Sequence, residues 1–138
     1  MKYDIIEDVF LFVSGAPPCE RSAVINRKTG ESFFASLMAD VDELPDDIDE
    51  NDDYIGIPHK NDLNLAKPLV MEFVRHRCPE QMDRVRAIFS RAGAYGRYKD
   101  LLSEINLLEE WYTCENERTR EALLEWCREE GIIVEETR

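Results

Sequence analysis

Apolar and polar positions change rhythm near residue 60. Before it, apolar residues come in short β-rich runs separated by turn residues; after it they recur every three or four positions. "DVFLFVS" is rich in strand formers and stops at Ser14-Gly15-Ala16-Pro17-Pro18, a stretch that cannot continue a sheet, so it predicts a first strand. "SAVIN" and "ESFFASL" flank Arg27-Lys28-Thr29-Gly30 and predict a hairpin. "YIGIP" predicts one further short strand that returns to the sheet and ends at Pro58.

The second half predicts helices. Leu65, Leu69 and Phe73 lie near helical spacing, and Pro68 is tolerable only in a first turn, so that helix starts near Ala66. Pro79 opens the next helix, with Met82, Val85, Phe89 and Ala92 on one stripe and Gly93 as its stop. Tyr95, Tyr98, Leu102 and Ile105 mark a third. The last spans about residues 107–130, with Leu108, Trp111, Tyr112, Leu123, Trp126 and Cys127 inward, and Gly131 ends it. An apolar tail, "IIV", must then dock. The predicted architecture is α+β: a small antiparallel N-terminal β-sheet followed by a C-terminal cluster of about four helices. It is expected as a single domain over residues 1–138, with the β-sheet part at 1–58 and the helical part at 59–138.

Charge sharpens this layout. The 138 residues carry a formal net charge of −13. Residues 1–66 hold five basic and fifteen acidic side chains, residues 67–99 eight and three, and residues 100–138 four and twelve. The chain is therefore acid–base–acid. Within the first block, nine of the fourteen residues 40–53 ("DVDELPDDIDENDD") are acidic and none is basic, which predicts a solvated loop or short helical turn.

Chemistry finds little footing. An EF-hand loop needs glycine at position 6 and glutamate at position 12. Started at Asp47 the acidic run offers Asp52 and Pro58 there, and started at Asp49 it offers Tyr54 and Lys60. Cys19, Cys78, Cys114 and Cys127 contain no CxxC pair and read as free thiols; His76 and Cys78 fall on opposite helix faces. No phosphate loop or dinucleotide fingerprint occurs. No catalytic residue, metal site or cofactor is therefore assigned. Asp4, Glu7 and Asp8 interrupt the N-terminal apolar run, no stretch approaches a membrane span, and the expected location is cytoplasmic.

The most distinctive stretch is "RAGAYGRYKDLL", residues 91–102. It is read chiefly as a tight helical corner whose cations offset the acidic blocks, with Arg97 in reach of Asp100 and Lys99 laid along the apolar stripe. His59, Arg91, Tyr95, Arg97, Tyr98 and Lys99 are the candidate binding residues.

"DVFLFVSG", "INRKTGE", "ELPDDIDENDDYIGIPHKNDL", "EFVR", "IFSRAGAYGRYKDLL" and "EEWYTCENERTREALLEWCREEGI" resemble, in the same order, the bacterial proteins of uncharacterised protein family 158. The resemblance covers nearly the whole chain and departs at Gly96 and Tyr98, where alanine and phenylalanine are expected. It implies a small cytosolic α+β protein and carries no activity. The leading functional expectation is a noncatalytic interaction or regulatory module whose partner is another protein or a second copy in a homodimer. A small-molecule enzyme using His59 and the Arg97–Lys99 turn is the first alternative. Anion or nucleic-acid binding through the basic segment ranks third, because a net −13 opposes a polyanion.

Overall fold

The computed structural model describes residues 1–135. It confirms the α+β class: among the described residues, a four-stranded antiparallel sheet in the order β3 (Val41–Asp42), β2 (Ser32–Ser36), β1 (Arg21–Asn26) and β4 (Tyr54–Gly56) is followed by four α-helices. The described chain groups into two compact units, Met1–Leu63 with the segment beginning at Arg120, and Asn64–Thr119.

In the first unit the predicted opening strand is instead a helix, α1 (Tyr3–Ser14). Its buried residues are Tyr3, Ile6, Val9, Phe10 and Val13, the i, i+3, i+4, i+7 spacing of one helical face. Asp4, Glu7 and Asp8 lie off that face. The window "DVFLFVS" was too short to show this period, and the β-propensity of its residues yielded to packing. A strand would have set Leu11 on the same side as Val9 and Val13; here Leu11 is exposed, while Phe12 meets Phe34 edge-on at 5.0 Å.

The hairpin forms as expected between β1 (Arg21–Asn26) and β2 (Ser32–Ser36). Asn26 Oδ1 accepts the backbone N–H groups of Lys28 and Thr29, and Gly30 closes the turn at φ +77°. β4 (Tyr54–Gly56) returns to pair with β1, placing Ile55 opposite Ile25. Ala23, Val24 and Ile25 are buried in succession, so central β1 is covered on both faces. The acidic segment is mostly solvated, but it begins with a strand the sequence did not predict, the two-residue edge strand β3 (Val41–Asp42). The segment after residue 131 is tied to the N-terminus through the backbone, Glu135 N–H donating to Met1 C=O and Tyr3 N–H donating to Glu135 C=O, but Ile133 of the apolar "IIV" stays exposed instead of docking.

The second unit contains α2 (Lys67–Arg77), α3 (Met82–Ile88), α4 (Ala94–Glu104) and the first half of α5 (Leu108–Glu129). Pro68 occupies the first turn of α2, as its missing N–H requires. Pro79 opens a 3₁₀ turn that leads into α3. Gly93 lies past the end of α3 at φ +74° and starts α4. The core is an aromatic chain in edge-to-face contact, Phe73–Trp111–Tyr98–Phe89–Tyr95, with centroids 5.1–5.6 Å apart. Leu69, Val74, Val85, Leu101 and Leu102 fill in around it, all buried. α5 ends in a Schellman cap: Ile132 N–H reaches Cys127 C=O and Gly131 N–H reaches Arg128 C=O, with Gly131 at φ +72°.

Candidate functional site

The candidate binding residues divide between the units. His59 lies in the first; Arg91, Tyr95, Arg97, Tyr98 and Lys99 lie in the second.

His59 is buried. Its Nδ1 accepts the backbone N–H of Asn61 at 3.0 Å, so Nε2 bears the proton and donates to Ala16 C=O at 2.8 Å. Its own N–H is taken by Asp62. The imidazole thus ties the loop after β4 to the turn after α1, and neither ring nitrogen faces a substrate. Sequence alone could not separate this role from catalysis, because the second partner is forty-three positions away.

The basic corner is largely absorbed by its own unit. Tyr98 is fully buried, and burial pushes its phenol far above the usual range. Its hydroxyl has no hydrogen-bond partner among the described residues. Tyr95 is half-buried against Phe89, and burial raises its phenol too. Arg97 is exposed, yet its Nη2 donates to the carbonyls of Ile88 and Arg91 at 3.2 and 3.4 Å. The Ile88 carbonyl closes α3 and also takes Arg91 N–H at 3.4 Å, and the Arg91 carbonyl lies in the turn beyond it. The guanidinium therefore meets backbone rather than Asp100. Lys99 Nζ sits 5.6 Å from the centre of the Tyr112 ring. Arg91 is exposed. Arg84 pairs with Glu104 at 3.3 Å, and the exposed Arg86 only borders Asp83 at 4.0 Å.

Two features escaped the sequence. The first is a groove of about 430 Å³ between α2 and α5 in the second unit, with Phe73, His76 and Cys114 among its lining residues. Arg118 grips Glu72 with two bonds, 3.1 and 2.8 Å, and holds that carboxyl below the usual carboxylate range. Arg77 pairs with Glu110. Both arginines in the groove are thus neutralised by glutamates on the facing helix, and burial raises the Cys114 thiol, making it a poor nucleophile. These cross-helix pairs have no sequence signal, since Glu72 and Arg118 are forty-six positions apart.

The second is a turn after β2. Leu37 and Met38 are 79% and 81% exposed, and Val41 on β3 is 42% exposed. The turn is pinned: Ser36 Oγ accepts Ala39 N–H, Leu37 N–H donates to Glu20 C=O, and Asp40 adopts φ +53°. Two large apolar side chains therefore stand in water on a held backbone, directly before the acidic segment. The clue in the sequence was "SLMAD", an apolar pair with no place in either strand's alternation.

Among the described residues no group of three or more histidine, cysteine or acidic side chains could hold a metal ion, and no helix is long and apolar enough to cross a membrane. Against known proteins, the model described as "Uncharacterised protein family (UPF0158)" matches residues 11–136. No curated protein and no solved structure matches the chain.

Proposed function

The chain belongs to uncharacterised protein family 158, and because that description carries no activity we propose, from the protein's own surface, that it is a noncatalytic cytoplasmic interaction module. The observation that carries this reading is the turn bearing Leu37 and Met38, 79% and 81% exposed. Isolated exposed apolar residues are ordinary. Here, however, two consecutive ones are presented by a turn closed with a side-chain hydrogen bond and a left-handed residue, and Val41 adds to them. Burying both against a partner would release about 3–6 kcal/mol of hydrophobic free energy before the costs of association. The partner is another protein or a second copy.

The alternatives draw less support. Both His59 ring nitrogens meet backbone groups, which removes the proton carrier from the enzyme version. Arg97 and Lys99 face carbonyls and a ring, which weakens the anion version.

The test compares wild type with the double variant Leu37→Ser/Met38→Ser. Both should unfold within about 0.5 kcal/mol of each other, as exposed substitutions do. Quantitative affinity capture, with light scattering for self-association, should show the variant losing most of its bound protein or its dimer. Equal recovery and equal mass for the two proteins would overturn the reading.

A further inference from the structure

We propose that the occupant of the Leu37–Met38 turn is a basic protein surface: an apolar pocket rimmed by lysine and arginine. The inference rests on the interaction reading above and adds the chemistry of the partner.

Charge complementarity carries it. Asp40, Asp42 and Glu43 follow the apolar pair directly and are exposed. They open a segment, residues 40–53, with nine acidic residues and no basic one. A surface that covers Leu37, Met38 and Val41 meets a backbone whose next residues carry these carboxylates, with Asp40 beside Val41 in the chain and Glu43 on the same side of the strand as Val41. A second copy would bring its own acidic turn and a net −13 to the contact, and like charges brought together cost several kcal/mol. A nucleic acid meets the same repulsion. A cationic rim meets attraction over a Debye length of roughly 8 Å at physiological salt.

The geometry suits knob-in-pocket docking more than strand addition. β3 has two residues, too few to template another strand, and Asp42 Oδ1 already takes Leu44 N–H beside it. The turn itself is held by Ser36 Oγ, the Glu20 carbonyl and the Asp40 contact to Leu37 C=O at 3.4 Å. Little backbone ordering therefore remains to oppose association. Leu37 and Met38 supply the buried anchor; the carboxylates select the partner and speed its approach.

The experiment places a photoreactive group in the full chain, Met38→p-benzoylphenylalanine, inside cells that naturally make the protein. A control chain carries the same group at exposed Ile133. Captured peptides are sequenced and mapped. The expected result is Met38-dependent cross-links to protein surfaces rich in lysine and arginine. Their yield should fall roughly tenfold when Asp40→Asn/Asp42→Asn/Glu43→Gln is added. If Met38 captures no more than Ile133, the interaction reading itself fails. If Met38 captures a second copy, nucleic acid, or neutral or acidic surfaces, or if the triple neutralisation leaves the yield unchanged, the turn still docks but the basic partner is wrong.

Discussion

The corner at residues 91–99 and the turn at residues 36–41 invert each other. The corner is conspicuous in sequence, with two arginines, a lysine and two tyrosines, and its chemistry is turned inward. Tyr98 is sealed in the aromatic core, Arg97 caps the carbonyls where α3 ends, and Lys99 rests over Tyr112. The turn is inconspicuous in sequence, yet its side chains stand in water. Composition advertises chemical potential; exposure decides whether that potential is available to a partner. A polar group that has found an internal partner is, for binding, no longer there.

If this contrast holds, substitutions in the corner change stability and leave docking alone, whereas substitutions in the turn do the reverse. The largest effect is expected for Tyr98→Ala, which removes a fully buried ring contacting Phe89 and Trp111. It should cost about 3–5 kcal/mol by chemical denaturation. A loss under about 1 kcal/mol would mean the corner is not structural, and the contrast would break.

Alkaline titration probes the same ring. Burial raises the Tyr98 phenol above its unfolded value near 10, so the folded state favours the protonated form. That contribution is fully present below about pH 10 and is lost as pH rises further, because the unfolded chain releases the proton first. Stability should therefore fall steeply above about pH 10, and tyrosinate absorbance for this residue should appear only with unfolding. Ionisation of all five tyrosines while the fold persists would contradict the sealed core.

The smallest effect has the opposite sign. Tyr98→Phe keeps the ring and removes a buried hydroxyl that has no hydrogen-bond partner among the described residues. It should raise stability by about 1 kcal/mol, the desolvation cost of an unmade hydrogen bond. Phenylalanine is also the residue expected there from the family resemblance. A destabilised Tyr98→Phe would show that the hydroxyl contributes a contact of its own and would sharpen the corner's role.

Much of the fold was legible. The 3.6-residue stripes from residue 65 onward located α2, α3, α4 and α5, and Pro68, Pro79 and Gly131 marked boundaries through backbone chemistry that needs no tertiary context. The hairpin was legible for the same reason, since Asn26 and Gly30 impose the turn locally. The miss was α1. Its seven-residue strand-like window ignored Tyr3 and Ile6, whose spacing completes a helical face. Of the candidate site, the helical stripe through Tyr95 and Tyr98 was legible, but the complete burial of Tyr98, one of the candidate binding residues, was not. The backbone partners of His59 and Arg97 were not, because they depend on which loop end arrives beside them.

By itself, then, the sequence determined periodicity, turn chemistry and the blocked distribution of charge, because each follows from residues near one another along the chain. Only the tertiary structure decided which polar groups are satisfied and which apolar ones are bare. Hydrogen-bond partners and solvent exposure are set by residues dozens of positions away, such as Ala16 for His59 and Glu72 for Arg118. No local pattern encodes that pairing; packing does.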